Sequence, residues 1–192
     1  MVRQLMRRSI LWMGVLVLAL PASPVFGQRG AQNGEWRSYG GDAGSTKYSS
    51  LDVIDETNVQ DLEVVWRWQT VDYERQAEDP DVRFNSLLLA TPLKVGDALF
   101  TSTNLGQAAA IDAVTGETLW VYNSVAEGTS TGRGRGTRGL AYWTDGSDER
   151  LLTVSGEHLV ALGTRTGELY PEFGENGKVD LRQDMWPRLQ RY

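Results

Sequence analysis

The chain has 192 residues, 41% of them hydrophobic and 23% charged, an ordinary globular composition apart from 21 glycines, which favour many turns. Cysteine is absent, which excludes disulfides, Cys-based zinc or redox sites, Cys-x-x-Cys-His haem attachment and lipid-anchored cysteines. The net charge of −6 argues against nucleic-acid binding, which needs a concentrated basic face.

Residues 1–27 have the layout of a secretory signal: basic Arg3, Arg7 and Arg8, an apolar run of 11 residues from Ile10 to Leu20, then Pro21 and the small-residue site ending at Gly27. The run is shorter than the ~18–20 residues of a membrane-spanning helix, so cleavage after Gly27 is expected rather than an uncleaved anchor. Arg7-Arg8 hints at twin-arginine export, but Ser9-Ile10-Leu11 fits that pattern poorly, and general secretion is the expectation. Removal of residues 1–27 leaves 16 basic against 25 acidic residues, a net charge of −9.

Residues 28–35 read as a flexible N-terminus, and residues 36–49, with Trp36, Tyr39 and Tyr48 among turn formers, as an ordered loop. Asp55 to Val59 suits a short helical turn. Leu62 to Trp68 alternates like a strand with Trp66 and Trp68 on one side, and residues 71–85 read as a charged, irregular loop.

Order resumes at Thr91 with Pro92 to Val95, the Gly96-Asp97 turn, Ala98 to Thr103, and two strands joined within Ala110-Ile111-Asp112-Ala113-Val114-Thr115-Gly116-Glu117-Thr118-Leu119-Trp120. A second set follows: Gly139 to Trp143, the Asp145-Gly146 turn, Arg150 to Val154, the Ser155-Gly156 turn, His158 to Leu162, and a last strand beginning near Glu168. Residues 171–192 read as loop. His158, the only histidine, lies inside a strand-like run and reads as a satisfied strand residue, not a zinc ligand or triad base.

The second set repeats the first. Ala161-Leu162-Gly163-Thr164-Arg165-Thr166-Gly167-Glu168-Leu169 reproduces the Ala and the Thr-Gly-Glu of the Ala110 motif at an offset of 51 residues, and Trp66 echoes Trp120 at 54. Asp112 reads as an acceptor for turn amides rather than a catalytic acid. Trp120 is expected to pack against the neighbouring sheet. The fold expected is all-β, a partial β-propeller of about two four-stranded antiparallel blades plus an outer strand. A closed propeller takes about 4–8 blades, so remaining blades are expected as partners that complete the ring.

Trp36-x-x-Tyr39-x-Gly41-Asp42, Ser45 to Ser49, Asn58-Val59-x-x-Leu62, Trp66-x-Trp68, Thr91-Pro92-Leu93, the Ala110 to Trp120 motif, Arg138-Gly139-Leu140-Ala141-Tyr142-Trp143 and Phe173-Gly174-x-x-Gly177-x-Val179-Asp180-Leu181, in this order, resemble the N-terminal part of quinoprotein dehydrogenases. The resemblance implies a periplasmic, eight-bladed propeller that uses pyrroloquinoline quinone (PQQ) and calcium to oxidise an alcohol or sugar and passes electrons to an acceptor. It places residues 36–192 in the propeller, incomplete at the C-terminus. Arg138 matches the arginine before Gly-(Leu/Val)-Ala-Tyr-Trp and would pair with a PQQ carboxylate, a task suited to a permanently charged, forked guanidinium.

Two positions depart from the family. Leu89 stands where many members carry a glutamate that contacts the quinone, and the glycine-arginine run ending at Gly136 stands where methanol-oxidising members carry an adjacent-cysteine disulfide. The family's calcium ligands and catalytic aspartate fall beyond Tyr192, so no acid here takes those roles, and this stretch alone is not expected to be active. The competing reading is a propeller of the same repeat that binds proteins as a scaffold and holds no quinone. Gly134-x-Gly136-x-x-Gly139 imitates a dinucleotide fingerprint, but it leads into a strand where that fingerprint opens a helix. An arginine-glycine RNA-binding segment does not suit an exported acidic chain, and a loop at the propeller mouth is expected instead.

Overall fold

The computed structural model describes residues 30–84, 88–128 and 139–183; the expected leader at 1–27 and Arg138 lie outside them. Two four-stranded antiparallel sheets carry the fold, each a meander in sequence order. The first blade is β1 (Leu93–Val95), β2 (Ala98–Ser102), β3 (Ala108–Asp112) and β4 (Thr118–Tyr122); the second is β5 (Ala141–Thr144), β6 (Glu149–Ser155), β7 (His158–Gly163) and β8 (Lys178–Asp180). The first blade and the first three strands of the second stand where the turn signals placed them.

Pleating divides each strand into two faces. Leu93, Phe100, Ala108, Ala110 and Tyr122 of the first blade meet Leu151, Val160 and Leu162 of the second in one buried cluster, with Trp120 packed against it. The core thus lies between the blades rather than within either of them.

The repeated turn provides the coupling. Trp120, opposite Ala110 in the β3–β4 ladder, lays its ring on Gly167 in the turn after β7, and its Nε1 donates to the Thr164 carbonyl at 2.9 Å. Gly167 has φ +69° and no room for a Cβ beneath that ring, so glycine is required there twice over. The same contact occurs one blade earlier. A Cβ on Gly116, at φ +77°, would lie 2.6 Å from the Trp66 ring, and Trp68 Nε1 donates to Thr118 Oγ1 at 2.9 Å.

Aspartates tie the β3–β4 and β5–β6 turns. Asp112 Oδ1 accepts from the amides of Val114 and Thr115 at 2.9 and 2.7 Å, as its position in the motif implied. These bonds, Thr115 first, hold its carboxyl below the usual range. Asp145 Oδ1 accepts from the Ser147 and Asp148 amides and the Ser147 hydroxyl, and its pKa is pushed down to about 2, chiefly by the Asp148 amide. Because the folded pKa lies below the unfolded one, this stabilisation is complete above about pH 4 and is lost as pH falls toward 2. The stability difference between wild type and Asp145→Asn is therefore expected to shrink across that window in acid titrations.

Four elements differ from expectation. The last strand of the second blade is split: Leu169 bridges Leu162 and Tyr170 N donates to the Ala161 carbonyl, residues 171–177 then loop out, and β8 resumes at Lys178. The return is made through Gly177, at φ +84°, whose carbonyl accepts from Ala161 N. A strand of three residues after a loop of turn formers carries too little alternation to be seen in sequence. Residues 62–68 run without an assigned ladder, because among the described residues no strand lies beside them to pair with. Within 71–85 lies a helix, α1 (Asp72–Glu78), whose only buried residue is Asp72, so no apolar stripe announced it. His158 does open β7, yet its Nδ1 is buried without a partner, so it is not fully satisfied.

The N-terminal stretch forms the expected ordered loop. Asp42 accepts from the amides of Gly30 and Thr46 at 2.8 and 2.9 Å, and Trp36 pairs with Lys94 through both backbone bonds, covering the free edge of β1. Residues 30–35, expected as a flexible start, carry contacts of their own: Ala31 is buried and bridges Ser49, and Glu35 accepts from Gly96 N at 3.0 Å. Asp55 to Val59 makes the anticipated helical turn, leading into a short 3-10 helix at Val59–Asp61.

Candidate functional site

The two blades stack with like ends together. At one end, here the top, β1 and β5 begin; Lys178 Nζ, on the outer strand β8, donates to the Glu127 carbonyl in the segment that leaves β4 at that end, at 2.9 Å. At the bottom Trp120 reaches the turn after β7. The approaches to β1 and β5 therefore open on the same side of the stack.

Buried polarity collects at that side. Among the described residues, the buried polar and charged side chains are Asp72, Thr101, Ser102, Thr103, Gln107, Ser124, Thr153 and Ser155. Every one lies at the upper end of β2 or β6, in the β2–β3 loop, in the segment leaving β4, or on α1. Burying polar groups costs free energy unless they are hydrogen-bonded, so this distribution marks the top as the end where polar groups are wanted, while the apolar cluster occupies the middle of the stack.

Helix α1 fastens this end. Asp72 is fully buried; its Oδ2 accepts from the amides of Asn104 and Leu105 at 2.8 and 3.3 Å, while its Oδ1 has no partner. The β2–β3 loop closes on itself as Thr103 N donates to the Gln107 carbonyl and Gln107 N to Thr103 Oγ1. From α1, Gln76 Nε2 donates to the Val82 carbonyl and Tyr73 meets the Phe84 ring edge-on at 5.1 Å. Asp72 is the residue that sequence reasoning missed. It sits in a charged stretch without periodicity, and nothing in its neighbours signals burial.

Leu89 lies outside any strand or helix ahead of β1, and 55% of its surface is exposed. Gly139 leads directly into β5, a strand, which removes the dinucleotide reading of the glycine run. Arg138 immediately precedes Gly139 in sequence, outside the described residues.

Two cations at the top are already engaged: Lys178 with the Glu127 carbonyl, and Arg182 with Asp180 and Glu157 at 2.9 and 2.7 Å. No group of three or more His, Asp or Glu side chains suited to a metal occurs among the described residues. A calcium ion therefore has no ready site in them, whereas the polar top fits one wall of a site for a polar ligand.

Comparison with known proteins agrees with this architecture. The family described as glucose/ethanol/alcohol dehydrogenase, beta-propeller domain, matches residues 36–192. Quinoprotein glucose dehydrogenase A of Acinetobacter calcoaceticus is 26% identical over 81% of this chain and 21% of its own length. The dehydrogenase subunit of alcohol dehydrogenase (quinone) of Gluconobacter oxydans is 34% identical over 73% of this chain and 17% of its own. The crystal structure of quinohemoprotein alcohol dehydrogenase from Comamonas testosteroni superposes with a TM-score of 0.59 at 22% identity, over 81% of this chain and 21% of that one, which supports the fold. The chain thus spans about one fifth of the length of such relatives. With two stacked antiparallel blades coupled by tryptophan and glycine, and a family match across 36–192, the chain belongs to the PQQ-type glucose/ethanol/alcohol dehydrogenase β-propeller family.

Proposed function

We propose that this chain is the N-terminal portion of a periplasmic PQQ-dependent dehydrogenase that oxidises an alcohol or sugar, with residues 1–27 a cleaved leader, 28–35 the N-terminal segment of the mature chain and 36–192 the first part of an eight-bladed ring. The observation that carries this reading is the gathering of buried polar side chains at the end of the stack where β1 and β5 begin. In sequence, Leu89 and Arg138 precede those strands, two positions at which the family resemblance implies contact with the quinone. Bound there, the quinone would supply the chemistry by accepting a hydride equivalent from the substrate. The chain's own contribution would be positional: Arg138 would pair with a carboxylate of PQQ, and Asp72 keeps the β2–β3 loop in place. Calcium ligands and the catalytic base belong to the remaining blades.

Leu89 favours a second reading. A half-exposed leucine accepts no hydrogen bond from a quinone, so a propeller that serves as a protein-binding scaffold fits that position equally well. Reconstitution separates the two. A protein extending this sequence to the length of its relatives, loaded with PQQ and calcium, is expected to reduce an artificial electron acceptor when given an alcohol or sugar. A protein that takes up no PQQ would establish the scaffold.

Export is tested independently. Mass spectrometry of the secreted product is expected to find a mature N-terminus at Gln28, from the basic, apolar and small-residue order of residues 1–27. A mature product beginning at Met1, or inside the Trp36 region, contradicts it.

A further inference from the structure

Residues 30–49 form a unit tied to itself. Asp42 accepts from the amides of Gly30 and Thr46, Ala31 N donates to the Tyr48 carbonyl at 2.7 Å, and Lys47 N donates to the Gly40 carbonyl at 2.8 Å. A Cβ on Gly41 would lie 3.1 Å from the Trp36 ring, so that ring also packs on its own loop. Bonds of this kind hold a loop in one shape without the help of a sheet.

The unit is seated on the first strand of each blade. Trp36 exchanges both backbone bonds with Lys94 of β1, at 2.8 and 3.0 Å, in the antiparallel sense, and Glu35 Oε1 accepts from Gly96 N in the β1–β2 turn at 3.0 Å. The next residue crosses to the second blade: the Arg37 guanidinium, paired with Glu35 at 3.2 Å, lies 5.4 Å from the centre of the Tyr142 ring on β5. Tyr142 is fixed in turn, its hydroxyl donating to Glu149 Oε1 at 2.9 Å. β1 and β5 are edge strands of their sheets, and in a propeller one edge strand of every blade lines the central channel. Blades converge toward that channel, and β1 and β5 are close enough for the consecutive residues Trp36 and Arg37 to touch both. Because Trp36 runs antiparallel to β1, the chain passes the bottom turn at Gly96 and rises along β1 toward the polar end.

We propose that residues 30–49 are a stopper seated in the axial channel from below, which leaves the channel open only at the top. Ligand then enters and leaves by the end where β1 and β5 begin, and solvent from the bottom is kept away from it. The inference rests on the ring described under the proposed function, but not on any bound quinone.

The test uses the mature chain extended to the length of its relatives and kept free of PQQ, so that failure of cofactor binding leaves this result untouched. Tyrosines are nitrated with tetranitromethane and the products located by mass spectrometry. Tyr39 is 63% exposed beside the two blades. In the full ring it is expected to react at least about tenfold more slowly than in the urea-unfolded chain, because the remaining inner strands surround it. Replacing Glu35 and Arg37 together by alanine removes the side-chain anchors to the Gly96 turn and to Tyr142, and is expected to speed nitration of both Tyr39 and Tyr142 by about tenfold through local opening. Arg37→Lys is expected to stay near wild type, since an ammonium can still lie over the Tyr142 ring. Wild-type Tyr39 that reacts as fast as in the unfolded chain overturns the proposal, because it places the loop outside the channel. So does a double variant in which Tyr142 reacts no faster than in wild type.

Discussion

Trp120→Ala is expected to lower the stability of the full propeller by about 3 kcal/mol, the lower end of the range for deleting a buried large aromatic. The lower end applies because the ring is only partly buried. The loss combines the contact with Gly167, the approach to the Phe100 ring at 5.9 Å and the bond from Nε1 to the Thr164 carbonyl. Trp120→Phe is expected to recover the packing in part but not that hydrogen bond. Gly167→Ala attacks the same contact from the other blade, adding a methyl under the ring at a φ of +69°. Denaturant melts of the three variants measure this. A loss below about 1 kcal/mol for Trp120→Ala would place the ring among ordinary surface side chains and remove the coupling between blades.

The parts of this fold that were legible in the sequence are those governed by short-range chemistry. Gly116 and Gly167 punctuate tight turns, Asp112 sits two and three residues before the amides it binds, and turn residues bracket the apolar runs that become strands. What escaped depends on contacts distant in sequence. Asp72 acquires its role from amides 32 and 33 residues away, and β8 is defined only by its pairing with β7 across a looped-out segment. Leu62 to Trp68 has the alternation of a strand, but a ladder needs a neighbour that the described residues do not contain. For the site, sequence identified Arg138 and Leu89 only through resemblance to a family. The polar character of the end they approach emerged from burial, which periodicity does not report.

Arg138→Ala is expected to weaken PQQ binding by roughly ten- to a hundred-fold. Removing a charge-assisted hydrogen bond costs about 1.5–3 kcal/mol, and each 1.4 kcal/mol is a factor of ten in affinity. Arg138→Lys is expected to recover only part of the loss, because an ammonium keeps the charge but not the two-pronged geometry. Leu89→Glu is expected to tighten binding by supplying the quinone acceptor that the family resemblance implies at this position. If Arg138→Ala binds PQQ as wild type does, the arginine has no part in holding the cofactor.

The most direct measurement is a PQQ titration of the extended apo-protein with calcium present, followed by fluorescence quenching of its tryptophans or by calorimetry. The account predicts saturable binding of one PQQ per chain, weakened by Arg138→Ala and partly restored by Arg138→Lys. A correctly folded wild-type protein that binds no PQQ would contradict it and leave the propeller as a scaffold.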